Sequence, residues 1–244
     1  MRRLGRVGGE FLLIVLGVMV ALAGDDWRDA RQESQTAKTY LERLAVEAQA
    51  GASAQATQLR RFERTRDASL RLMHYLDGDR SVVSRDSLPD LFVVSAQTGT
   101  SPDQSGPDAT YRELVASGQL HLLHDPVTRE RVVDYYAAID QVQSFEESMF
   151  PMHKEVGAIT GYLPYQLLRG NPRLTSQQRE RITHELRRPE LIREVREVHA
   201  QIEMLLGMID NLREKGDSLR SSLRAALGPG TGSGDAETTR SRRR

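Results

Sequence analysis

Cysteine is absent from the 244 residues, which excludes disulfides, thiol nucleophiles and zinc–thiolate sites together. Aromatic residues make up only 5%, with a single tryptophan. Alanine, leucine, arginine, glutamate and glutamine are abundant instead, a balance that favours helices over a sandwich or barrel. Net charge is missing as well: 34 basic residues meet 34 acidic ones, so no overall field draws nucleic acid or acidic substrates. Catalytic signatures are equally scarce. None of the six histidines stands in an H-E-x-x-H or E-x-x-H pattern, the spacings that put metal ligands on one helix face. His121, His124 and Asp125 form the one close group of ligand types, but they straddle a helix start, where Asp125 serves better as a cap. Glu146 and Glu147 are adjacent, hence on different faces, and do not read as an acid–base pair. In the run 230–234 (GTGSG), Ser233 falls one place too late for a nucleophile elbow. Tyr135-Tyr136 would suit stacking on a ligand, although core packing with one ring at the surface is the commoner use of such a pair. These readings predict no catalytic residue, no cofactor and no metal.

What the chain does have is one long apolar run. Phe11, Leu12, Leu13, Ile14, Val15, Leu16, Gly17, Val18, Met19, Val20, Ala21, Leu22 and Ala23 carry no charged or strongly polar side chain. Nine of them favour membrane insertion by roughly 0.3–0.6 kcal/mol each, on the order of 3–5 kcal/mol together. Counted to Gly24 the run is 14 residues, about 21 Å of helix against a hydrocarbon core of about 30 Å. Extending it back to Val7 gives 18 residues and takes in Glu10, which stands four residues after Arg6 and can pair with it. Arg6 and Glu10 at one end and Trp27 at the other are the expected interface anchors. Arg2, Arg3 and Arg6 precede the run, so the positive-inside rule predicts a cytoplasmic N-terminus and a periplasmic remainder. Ala21-Leu22-Ala23 is also an A-x-A site, and the alternative is a secreted, soluble helical ligand-binding protein released by cleavage after Ala23.

The stretch resembles the opening of a bacterial family of uncharacterised single-span membrane proteins, whose N-termini read E-I/F-L-L-I-V-x-G-V/I-x-V/I-A-L-x-x-D/N-D/N-W. Glu10, residues 12–15, Gly17, Ala21, Leu22, Asp26 and Trp27 match it. A second block is similar to the family's T-Y-x-E-L-x-x-S-G-x-L run followed by R…YY. It comprises Thr110-Tyr111-Arg112-Glu113-Leu114, Ser117-Gly118-Gln119-Leu120 and residues 129–136 (RERVVDYY). The residues at 23–25 depart from the pattern and create the A-x-A site. The resemblance implies a membrane-anchored helical protein and no particular activity.

Beyond the run, residues 25–77 read as one helix without proline, ending at Gly78 in a C′ position. Its expected core stripe is Leu41, Leu44, Ala48, Ala52, Ala56, Leu59, Phe62, Leu70, Met73 and Leu76, broken only at Arg66. Ser87 caps a short helix containing Pro89, though the LFVV run also fits a buried strand. Residues 95–108 form a loop, and Asp108 or Thr110 starts a short helix ending at Gly118. Asp125-Pro126 begins another, which directs Val132, Val133, Tyr136, Ile139 and Val142 inward and meets Pro151. Residues 152–168 are expected to be helical, and Thr175 caps a further helix that stops before Pro189. From Pro189 to Leu227, Leu191, Val195, Val198, Ile202, Leu205, Ile209, Leu212, Gly216, Leu219 and Leu223 alternate spacings of four and three. That is a coiled-coil-type seam, expected to cover the first long helix of the same chain.

The prediction is an all-α protein: a transmembrane helix that continues into an antiparallel bundle with a coiled-coil-like last helix. Its parts are a basic N-terminus and span (1–24), a helical domain (25–227) and a disordered tail (228–244). The expected partners are the membrane and another protein, or a second copy, met through helices. Nucleic acid is not expected.

Overall fold

The computed structural model describes residues 2–81, 83–96, 106–149, 154–161 and 173–228, and within 2–26 the side chains of Leu16 and Met19 only. Among the described residues seven helices follow one another: α1 (Arg2–Leu76), α2 (Leu88–Ser95), α3 (Ala109–Ala116), α4 (Pro126–Met149), α5 (Lys154–Thr160), α6 (Ser176–Glu185) and α7 (Pro189–Leu227). Single 3-10 turns at Arg85–Ser87 and Gln119–Leu122 precede α2 and α4. No strand occurs among the described residues, so the LFVV run is helical, as the Ser87-Leu88-Pro89 start predicts.

Local chemistry sets the ends of these helices. Gly78 takes φ +108°, and the amides of Asp77, Gly78 and Asp79 donate to Met73, Tyr75 and His74 to close α1. Asp125 accepts from the Thr128 amide at 2.9 Å and its hydroxyl at 2.6 Å, which starts α4 at Pro126. Thr175 and Gln178 form a complete capping box on α6.

The scaffold is α1 with α7 antiparallel to it. Ser69 meets His199 near one end, and the Ala48 carbonyl meets Arg220 near the other. α4 runs parallel to α1, with Glu47 bonded to Tyr136 and Gln58 to Glu146, and antiparallel to α7 through Thr128 and Ser222. All ten expected α7 seam positions are buried, and they pack within the chain. A second core gathers Leu72 of α1, Phe92 and Val93 of α2, Val156 and Ile159 of α5, Ile182 of α6, and Leu191 and Val195 of α7.

The α1 stripe differs from the expected one. Ala52, Ala56 and Leu59 are only half-buried, and Leu70 is exposed. The buried line runs through Ala37, Tyr40, Leu44, Glu47, Gly51, Gln55, Gln58, Phe62, Thr65, Ser69 and Leu72. It crosses the supposed break at Arg66 without interruption, because polar residues occupy the inward positions there. An apolar-only reading moves to the alanines beside them. On α4, Val133 faces outward and Tyr135 takes the buried position, so both tyrosines are core residues and neither ring is at the surface. The expected helix over 162–168, the loop over 97–105, the Pro151 kink and the tail beyond Gly228 lie outside the described residues.

Candidate functional site, an exposed arm above a polar seam

α1 is longer than the bundle it belongs to. Its 75 residues extend about 110 Å, yet among the described side chains the first buried one is Ala37. Leu16, Met19 and Trp27 are 60–66% exposed, and every residue from Trp27 to Gln35 faces solvent. Arg31 lies over the Trp27 ring, 5.5 Å from its centroid, and holds the indole against the stem. Among the described residues no helix is long and apolar enough to cross a membrane. The other expected span side chains (Phe11, Leu12, Leu13, Ile14, Val15, Val18, Val20, Ala21, Leu22, Ala23) and the anchors Arg6 and Glu10 lie outside them, as does the side-chain position of Gly17.

Below the arm, the second block of the family resemblance assembles around Glu47. One Glu47 oxygen accepts from the Thr110 amide at 2.8 Å and the Thr110 hydroxyl at 2.6 Å, and the other accepts from the Tyr136 hydroxyl at 2.9 Å. Asp108, the N-cap of α3, makes no side-chain cap, so Glu47 of α1 caps α3 in its place. Tyr111 stacks on Tyr136 at 4.3 Å and 3°, so protein already occupies the ring face that a ligand would use. Burial first, then the Glu47 carboxyl, pushes the Tyr136 hydroxyl above its ordinary range, which keeps it a donor. Nearer the surface, Tyr40 donates to Gln119 at 2.7 Å, and Arg43 pairs with Glu113 at 2.6 Å. The bond from Arg43 first, and then one from the Tyr40 hydroxyl at 3.0 Å, hold the Glu113 carboxyl below the usual range.

The same capping device recurs in the second core. Glu194 of α7, almost fully buried, accepts from the amides of Glu155 and Val156 at 2.9–3.0 Å and caps α5. Two buried carboxyls are thus explained by the orphan amides of short helices. Glu146 on α4 is a third, and it caps no described helix: its described bond comes from the Gln58 side chain. Burial pushes it up to about 7, with Gln58 and the Arg61 charge opposing. Between these carboxyls Gln55 donates to the Tyr135 hydroxyl at 3.0 Å. A Cβ on Gly51 would lie 2.3 Å from that hydroxyl, so only glycine fits beneath the ring.

Catalytic arrangements can be tested against this geometry. Ser69 Oγ lies 2.8 Å from His199 Nδ1, and His199 Nε2 lies 3.9 Å from Glu203, a Ser–His–Glu line that sequence spacing does not reveal. Ser69 is fully buried and its hydroxyl also donates to the Arg66 carbonyl, so a substrate has no approach. The line reads as a satisfied interhelical contact. His121 turns to the Gly118 carbonyl, Asp125 caps α4, and no metal-holding group of three occurs among the described residues. A surface groove of about 590 Å³ lies between Arg85 and Asp86 on one side and α6 on the other. Its Arg179 is bidentate to Asp90, while Asp86 and Glu180 offset Arg85 and Arg187, leaving no field for an anion.

Comparison with family models, curated proteins and solved structures finds no match to this chain.

Proposed function

We propose that this protein is a single-pass inner-membrane anchor presenting a helical interaction domain to the periplasm, without catalytic activity of its own. The arm of α1 carries this reading. An uninterrupted helix leaves the bundle at Ala37 and continues past exposed Trp27 into the apolar run of the sequence, where Met19 and Leu16 are also exposed. A soluble bundle gains nothing by leaving such side chains in water, whereas a bilayer covers them. Between Ala23 and Ala37 the helical stem is about 20 Å long, which would hold the bundle clear of the headgroups. Arg6 and Glu10 would sit at the cytoplasmic interface and Trp27 at the periplasmic one. The resemblance of both sequence blocks to single-span bacterial proteins supports the same reading. The domain's work would be to bind a partner protein or a second copy through its helices.

The test is the intact mass of C-terminally tagged protein from fractionated cells. Full-length mass in carbonate-washed membranes is the expected result. A chain beginning at Gly24 in the soluble fraction would overturn the anchor and establish the secreted alternative.

A further inference from the structure

The contact between Glu146 and Gln58 is incomplete in a specific way. Gln58 Nε2 donates to Glu146 Oε1, while the other end of the same amide, Gln58 Oε1, is buried without a hydrogen-bond partner. Both residues are at least 95% buried, so bulk water does not offset the deficit. An orphaned acceptor in such a place is costly and calls for a donor. The planar group facing Gln58 is a carboxyl, and a carboxyl supplies that donor when it carries a proton. A carboxylic acid and a primary amide are complementary across two bonds: the amide N–H to the acid carbonyl, and the acid O–H to the amide oxygen.

We propose that Glu146 holds a proton in the folded protein and forms a two-point acid–amide pair with Gln58, which makes the α1–α4 seam a proton-linked joint. Loss of the proton removes one bond and turns the amide oxygen towards a carboxylate oxygen, so the seam loosens. Among the described residues Arg61, on α1, is the charged group whose field reaches Glu146. On α4 the neighbouring Glu147 points to solvent. α7 contributes Leu205, Leu206 and Ile209 to the shared core, and none of its charged side chains is among the groups acting on Glu146. Burial pushes the carboxyl up to about 7. A carboxyl raised in the folded state stabilises fully below its unfolded value and loses that contribution as pH rises through the folded one. Glu113, Glu185, Asp125 and Asp79 are all shifted downward and act in the acid range instead.

The experiment is denaturant unfolding of the full chain in detergent micelles from pH 5 to 8. The folding constant is expected to fall by up to about tenfold per pH unit towards pH 7 and then level off. Glu146→Gln, which keeps the shape and removes the proton, is expected to abolish that slope. A wild-type slope in Glu146→Gln, or no slope in the wild type, overturns the proposal. Gln58→Met provides the second arm. It removes the amide oxygen that would hold the acid proton, so the transition should move to lower pH, and a midpoint that stays or moves to higher pH, as loss of a simple donor to a carboxylate would give, overturns the pairing.

Discussion

α1 and α7 are the two long helices, they lie antiparallel, and they bury stripes of nearly the same spacing, but they fill those stripes differently. α7 offers ten seam positions of leucine, isoleucine, valine and one glycine. α1 offers Tyr40, Glu47, Gln55, Gln58, Thr65 and Ser69 among its apolar residues. The apolar stripe gains stability by transfer from water and tolerates small shifts. The polar stripe gains little net energy from each bond and fixes its partners instead: Glu47 sets α3 and Tyr136, Gln55 sets Tyr135, and Ser69 sets His199. One helix supplies cohesion, and the other sets position. The difference matters because α1 is also the helix that bears the arm.

The largest effect should come from the cohesive helix. Ile202→Ala leaves a cavity in a fully buried seam position and is expected to cost about 2–5 kcal/mol, read from the denaturant midpoint. If it costs no more than a polar substitution on α1, the division between the helices fails. Next comes the pH response of Glu146. Raised to about 7, it should withdraw roughly 3 kcal/mol of stability between pH about 4.5 and 7, with Glu146→Gln flat over that interval. Tyr136→Phe removes one bond to Glu47 and leaves the ring stack in place. About 1 kcal/mol is expected, with loss of amide protection concentrated at the start of α3. Thermal melts and hydrogen exchange separate that local loss from a uniform one, which would refute the positioning role. Smallest of all, Trp27→Ala should change bundle stability by no more than about 0.5 kcal/mol, since the ring is 66% exposed and its described contact is with Arg31 on the same helix. It should still weaken retention of the protein in membranes, measured by carbonate extraction.

These contrasts also mark where sequence reading succeeded. The seam of α7 was legible because burial and hydrophobicity coincide along it, with Gly216 the one position that lacks an apolar side chain. The ends of α1, α4 and α6 were legible because Gly78, Asp125-Pro126 and Thr175-x-x-Gln178 act within a few residues of themselves. The polar stripe of α1 was not, because Gln55, Gln58, Thr65 and Ser69 resemble surface residues until a partner faces them. The adjacent Ala52, Ala56 and Leu59 offered a more apolar line one residue, or about 100°, round the helix. Both rings of Tyr135-Tyr136 could be buried only because Gly51 clears space for one and Tyr111 and Glu47 receive the other. No local pattern announces that. The caps from Glu47 to α3 and from Glu194 to α5 join residues 63 and 38–39 positions apart, beyond any capping motif.

The sequence by itself determined the helical class, the apolar N-terminal run and the α7 seam, since each rests on propensity or periodicity within one segment. Tertiary structure alone decided which face of α1 is buried, which carboxyls cap distant helices, and that Glu146 is left facing an amide in place of a helix end. A polar side chain is stable in a core only through the partner it meets, and that partner is fixed by the packing of the helices.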